Sequence, residues 1–373
     1  MASLTAADRP RPETAPVSGS AAARPTDRSA ARLIGWWLVG CAGMVFAMAV
    51  IGAITRLTES GLSMVEWRPL IGALPPLSEA EWQRVFDLYR DTPEYRLKNA
   101  GMSLAEFKTI FFWEWFHRLW GRLIGLVFAL PLLAFWLTGR IRRVGHVPHL
   151  DWKLAGLLVL GALQGVMGWV MVQSGLVDRP SVSQYRLAAH LGLAFVIFGL
   201  LLWLAWRLFE DPAARAATPA PRPVRGHLWG TVAIAAVTVL WGALVAGLDA
   251  GLAYNSWPLM DGRLLPPEAL NLVPWWLNPV ENTAMVQFVH RWLAIVTAAA
   301  VLALAVTVRR RRAATRVRRV VDLAAAMVVV QVGLGIATLL SQVWIPVAAL
   351  HQAGALVLIA LLLRAGFLAR AAA

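Results

Sequence analysis

Eight stretches of this chain are each long and apolar enough to cross a lipid bilayer, and no other feature limits its fold so strongly. They cover approximately residues 33–55, 111–139, 154–176, 187–206, 228–248, 282–308, 323–343 and 346–363. A hydrocarbon core about 30 Å thick takes roughly 20 residues of helix to span. Inside it no water satisfies backbone groups, so a spanning segment must be a helix or part of a closed barrel. These runs are continuously apolar and far longer than a strand, so the expected fold is all-α and polytopic. The last two spans are parted only by a tight turn near 344–346, and an even number of spans puts both termini on one side.

Charge orients the chain. Its 35 Lys and Arg outnumber 21 Asp and Glu, a formal charge of +14. A basic chain can bind nucleic acid, but here the cations fall between apolar runs, which excludes a nucleic-acid patch on a soluble domain. The tail, the alternate segments 138–153, 207–227 and 308–319, and the C-terminal end carry 22 Lys and Arg, whereas the intervening segments carry 10. The positive-inside bias places the first set in the cytoplasm. The run Arg309 to Arg312, with Arg316, Arg318 and Arg319, reads as a topology anchor. Nineteen tryptophans suit aromatic belts at the two interfaces. The single cysteine, Cys41, lies within an apolar run, which excludes an internal disulfide or a CxxC redox motif.

Residues 1–32 are rich in Ala, Pro, Ser and Arg and are expected to form a disordered cytoplasmic tail. Asp8, Glu13 and Asp27 argue against an acid-poor transit peptide. A Pro- and Ala-rich linker at 211–226 divides an N-terminal four-helix half (33–210) from a C-terminal one (227–370). The halves match internally. Gly52-Ala53, Glu59, Gly61-Leu62 and Trp67 recur as Gly242-Ala243, Asp249, Gly251-Leu252 and Trp257. Pro69-Leu70 and Pro75-Pro76 recur as Pro258-Leu259 and Pro266-Pro267. His117-Arg118 recurs as His290-Arg291, Gln164 and Gly168 as Gln331 and Gly335, and His190 as His351. Four spans per repeat give both halves the same orientation, related by an axis along the membrane normal.

Of seven histidines, His146, His149 and His227 fall in the basic segments and are expected to be solvated. His117, His190, His290 and His351 lie inside spans, roughly 6–14 Å below the outer surface at 1.5 Å per helical residue. Buried imidazoles in lipid need partners, either hydrogen bonds between helices or a metal. Each half lacks the further Cys or carboxylate ligands of a zinc site. Two imidazoles from facing helices complement a six-coordinate haem iron in a bundle core. Each half is therefore expected to hold a bis-histidine haem site. Arg118 and Arg291 could pair with haem propionates, or could snorkel to the interface. The halves differ three residues earlier, where Glu114 precedes His117 but Gln287 precedes His290. Glu114 shares a helix face with the histidine and could act on a reaction there or simply pair with Arg118.

From residue 35 to about 363 the sequence resembles the haem A synthase family. The resemblance rests on Ile54-Thr55-Arg56-Leu57-Thr58-Glu59-Ser60-Gly61-Leu62-Ser63, Glu114-Trp115-Phe116-His117-Arg118 and His290-Arg291. It implies an eight-span enzyme that oxidises a methyl group of haem O to the formyl group of haem A, for cytochrome oxidase. It also implies a substrate haem at His117 and His190, with Glu114 catalytic, and a haem b cofactor ligated by His290 and His351. Arg56, Arg118, Arg122 and Arg291 become candidates for the surroundings of the propionates. The expected setting is a bacterial inner membrane, with both termini cytoplasmic and the haem sites toward the periplasm. Expected partners are haem O, haem O synthase, cytochrome oxidase assembly factors and the bilayer, with a homo-oligomer possible and no nucleic acid. Some members carry a cysteine pair in the first outer loop. Residues 56–110 have none, so the chain resembles the cysteine-free class of alphaproteobacterial and mitochondrial members. That loop is expected to lid the substrate site. Two rivals stand beside it: a quinone-linked di-haem b electron-transfer protein, which would use the same four histidines, and a transporter with a parallel repeat, which gives no reason for their spacing.

Overall fold

The computed structural model describes residues 27–66, 71–177, 182–210 and 220–370. Most of the tail, most of the linker and the Trp67–Leu70 part of the repeat lie outside the described residues. Eight helices are long and apolar enough to cross a membrane, and no β-strand occurs among the described residues. They are α1 (Arg28–Leu57), α2 (Leu104–Leu137), α3 (Leu150–Val177) and α4 (Gln184–Phe209), then α5 (Arg222–Gly247), α6 (Thr283–Arg310), α7 (Thr315–Leu340) and α8 (Ile345–Ala369).

Three of them begin where the sequence supplies a side-chain cap. Asp27 accepts from the Ser29 and Ala30 amides at the start of α1. Ser103 and Glu106 form a reciprocal capping box on α2. Asn282 caps α6 through the Met285 amide. Such side chains satisfy amides that have no partner in the first helical turn. Several helices run past the apolar stretch. α7 starts at Thr315 and takes in Arg316, Arg318 and Arg319 before the hydrophobic residues begin. Arg309 in the last turn of α6 pairs with Asp322 of α7 at 2.7 Å, closing a short basic hairpin.

Within the first half α1 packs on α2, α2 on α3, α3 on α4, and α4 returns to α1. Within the second, α5, α6, α7 and α8 close in the same cyclic order. The two rings meet where α1 and α4 face α5 and α8. One apolar core runs through both, including Ile34, Leu38, Leu201 and Leu208 from the first ring and Leu228, Leu304, Val321 and Leu362 from the second. Large apolar side chains on the outside, such as Leu130 and Trp136 on α2 or Val159 and Leu163 on α3, are exposed, as a lipid-facing surface requires.

At one end of the bundle both described chain ends are tied down. The Asp27 amide donates to the Arg143 carbonyl, and Arg370 pairs with Glu210 at the end of α4. Here two of the three histidines expected to be solvated are not. His149 is exposed. His146 is half-buried, with Nε2 3.2 Å from the Arg207 carbonyl, and burial pushes its pKa below the ordinary histidine value. His227 falls inside α5, with Nδ1 3.0 Å from the Thr307 hydroxyl. The basic segments are shorter than hydropathy alone implies because the helices extend into them.

At the other end the segment between α1 and α2 folds into a cap. It holds helices at Glu79–Arg90 and Pro93–Leu97. Met64, Phe86 and Tyr89 pack there against Phe107, Ile110 and Phe111 at the start of α2. Tyr89 stacks on Phe107 with ring centroids 5.2 Å apart. The described residues of this segment form an aromatic subdomain.

Candidate functional site

All four intramembrane histidines sit on glycine seats. His117 on α2 backs onto Gly52 of α1, where a Cβ would lie 3.3 Å from its Nε2. His290 on α6 backs onto Gly242 of α5, where a Cβ would lie 3.1 Å from its Cε1. His190 on α4 meets Gly168 of α3 and His351 on α8 meets Gly335 of α7, at 3.4 and 2.9 Å respectively. A Cβ at Gly335 would force the His351 ring to shift, those at Gly242 and Gly52 would press tightly on their rings, and one at Gly168 would just touch His190. His117 and His190 belong to the first ring of helices, and His290 and His351 to the second.

The α4 and α8 histidines share a second support. Gln164 on α3 donates to the His190 carbonyl at 3.0 Å. Gln331 on α7 donates to the His351 carbonyl at 2.8 Å, with the same nitrogen 3.2 Å from His351 Nδ1. By contrast Nδ1 of His190 and Nδ1 of His290 are buried with no hydrogen-bond partner among the described residues. A buried polar atom left without a partner costs free energy, and a native protein leaves few of them.

Toward the cap end, each half carries an arginine one residue after its first histidine. Arg118 pairs with Glu114 Oε1 and donates to the Met64 carbonyl at 3.0 Å. Glu114 Oε2 accepts from the Ser63 hydroxyl at 2.8 Å and the Met64 amide at 2.7 Å. In the second half Gln287 Oε1 accepts from Arg291 at 3.2 Å, and Gln287 Nε2 donates to the Ala250 carbonyl at 2.8 Å. Arg291 also donates to the carbonyls of Tyr254 and Ser256, each at 2.9 Å. Both pairs staple the segment after α1 or α5 onto α2 or α6. Neither arginine snorkels. The glutamine oxygen takes the place that a carboxylate oxygen fills in the first half, so the staple itself does not require a charge on residue 114.

Arg56 at the end of α1 reaches across the seam to Asp249, 2.7 Å away. Arg122 follows Arg118 by one turn on α2 and is half-buried.

One cluster was not visible in the sequence. Glu94 in the cap is buried and accepts from the Tyr89 hydroxyl at 3.1 Å, while Asn99 donates to the same hydroxyl oxygen at 2.6 Å. Burial pushes the Glu94 carboxyl up to about 8 against the Tyr89 hydrogen bond, and the charges of Glu114 and Glu59 add to the rise. Tyr89 is itself pushed above the ordinary phenol value, chiefly by burial. Asn99 also lines a groove of about 510 Å³ that opens on the cap surface.

Two cyclic bundles of helices long and apolar enough to cross a membrane, each carrying two glycine-seated histidines and an arginine staple, define a multi-pass membrane protein. The chain belongs to the COX15-CtaA family, described as cytochrome oxidase assembly protein, whose sequence model matches residues 35–363. It is 58% identical to the heme A synthase of Rhodospirillum centenum over 351 residues, 93% of this chain and 91% of that one. Likeness to the heme A synthase of Nitrosospira multiformis is 48%, over 86% of this chain and 89% of the relative. For that of Agrobacterium fabrum it is 49%, over 88% of each.

Proposed function

We propose that this protein is a haem A synthase, an oxidoreductase that converts a methyl group of haem O into the formyl group of haem A for cytochrome oxidase. The observation that carries the reading is the set of four half-buried histidines on glycine seats, two per ring, in a chain of this family. The ring order and the matched residues support a repeat of two four-helix halves.

The residues fit haem better than a bare ion. No group of three or more His, Cys, Asp or Glu side chains suited to an ion occurs among the described residues. Two imidazoles are all that a macrocycle with four nitrogens of its own requires. The partnerless Nδ1 atoms of His190 and His290 give each pair a ring nitrogen free of competing hydrogen bonds. His117 and His190 would hold the substrate haem, and His290 and His351 a haem b cofactor. When bound, haem b supplies one-electron oxidation and reduction, tuned by its ligands and their hydrogen bonds.

Glu114 is the residue assigned to handle protons. Its Oε2 can take a proton if the Ser63 hydroxyl turns from donor to acceptor, while the Met64 amide keeps the carboxyl in place. Arg118 holds Oε1 and anchors the cap over the first ring. The aromatic cap excludes water from that side. Arg122 and Arg291 remain candidates to meet propionates, while Arg56 serves the seam through Asp249. The charge bias sets the basic end in the cytoplasm of a bacterial inner membrane, with the caps and histidines toward the periplasm. Haem O synthase would then supply the substrate, and oxidase assembly factors would receive the product.

Extraction of the pigments from purified protein tests this. Haem b together with haem O or haem A is expected. Haem b alone would make the chain a di-haem electron-transfer protein, and a colourless preparation would leave the transporter reading.

A further inference from the structure

The seam between the rings carries one polar link whose position the family reading does not explain. Gln352 directly follows His351 on α8, and its Nε2 donates to the Ala49 carbonyl of α1, 303 positions away in the chain. Ala49 stands three residues before Gly52, the seat of His117. One side chain therefore connects the turn that carries a second-ring histidine to the turn on which a first-ring histidine rests. The cross-seam bonds described above, Arg56 to Asp249 and Arg370 to Glu210, lie at the ends of the bundle.

Packing alone does not call for an amide there. In an α-helix the Ala49 carbonyl already receives the amide four residues on, so α1 has no unmet acceptor. A polar side chain at membrane depth is costly unless bonded, and an apolar one would close the seam more simply. The other half supplies that comparison. The residue directly after His190 is Leu191, which packs against the apolar core. Of the two matched positions, one is apolar and one carries an amide that bonds across the seam.

We propose that Gln352 is a positioning residue that couples the two histidine pairs, fixing their separation and giving electrons a route between them that crosses the seam on a hydrogen bond. One electron passes from one site to the other, the first losing it and the second gaining it, with no bond made or broken. The inference rests on the haem reading above. The amide keeps the His351 turn in register with α1, and the path from His351 through Gln352 and Ala49 to the Gly52 turn replaces a van der Waals gap with a bonded contact.

The test uses full-length protein with haem A retained in the first ring and haem b in the second, since their absorption bands separate. Gln352→Leu copies the first-half residue, and Gln352→Met keeps the length without the amide. Both variants should insert, keep both haems with bis-histidine spectra, and show several-fold slower electron equilibration between the two bands after photoreduction. Unchanged equilibration in Leu and Met variants would overturn the coupling role. Loss of haem b from both would overturn it too, by showing that Gln352 only holds His351. A wild-type protein with no haem in either ring would instead refute the underlying reading.

Discussion

Replacing Glu94 with Gln removes a titration from the middle of the cap between α1 and α2. In the folded cap burial pushes this carboxyl up to about 8, against 4.5 in water. A carboxyl raised on folding binds a proton that the opened cap has already released. Its contribution is therefore fully present at low pH and is lost as pH climbs from 4.5 through 8. Each pH unit in that window is worth about 1.4 kcal/mol. Between pH 6 and pH 8 the wild-type cap should lose roughly 2–3 kcal/mol, about a hundredfold in its opening constant. An amide at residue 94 still accepts from the Tyr89 hydroxyl and has no proton to lose, so the variant should show a nearly flat profile. Hydrogen exchange across Glu79–Arg90 and Pro93–Leu97, corrected for intrinsic rates at each pH, reads the opening directly. Equal pH dependence in the two proteins would refute the argument, because the titrating group would then lie elsewhere.

Glu114→Gln should fold, since Gln287 makes the equivalent staple in the second half, and should keep haem b while accumulating haem O or a partly oxidised product; a normal haem A yield per folded molecule would remove Glu114 from the chemistry. Gly335→Val places a Cβ 2.9 Å from His351 Cε1 and should cost about 1–3 kcal/mol of overpacking with loss of haem b. Gly161→Ala, with nothing within 4 Å of the new Cβ, should leave the pigment spectrum unchanged, and matching spectra for the two glycine variants would contradict the seat. A reporter fused after Arg312 should be cytoplasmic and one in the 264–278 loop external; the reverse would invert the topology.

The spans and the four histidines were legible because both signals are local and strong: a 20-residue apolar run, and a titratable ring inside it. The start of α7 was not, since Arg316, Arg318 and Arg319 lower hydropathy while doing nothing to stop a helix. The cap helix at Glu79–Arg90 was passed over for a related reason. Ser78, Glu79 and Glu81 mark its start, and Trp82, Phe86 and Tyr89 give it an apolar face, but it is too short to register as a span. Gly52, Gly168, Gly242 and Gly335 were seen only as recurring letters. Small residues are common wherever membrane helices approach, and their use as ring seats depends on which helix lies opposite. The burial of Glu94 had no sequence signal at all, because it arises from aromatic residues spread across two cap helices and the start of α2.

The contact between α1 and α8 bears on how the molecule is made. A chain inserted from its N-terminus places α1 in the membrane first and α8 last, yet these two helices pack together. Arg370, at the end of α8, then pairs with Glu210, synthesised 160 residues earlier. The first ring can close by itself when α4 arrives, but its seam face stays turned toward lipid through the synthesis of the whole second half. Until the final helix is released, the Ala49 turn and Glu210 wait for Gln352 and Arg370. A chain truncated within α8 would therefore leave a finished first ring with an open flank, which a quality-control protease could recognise as an unfinished protein.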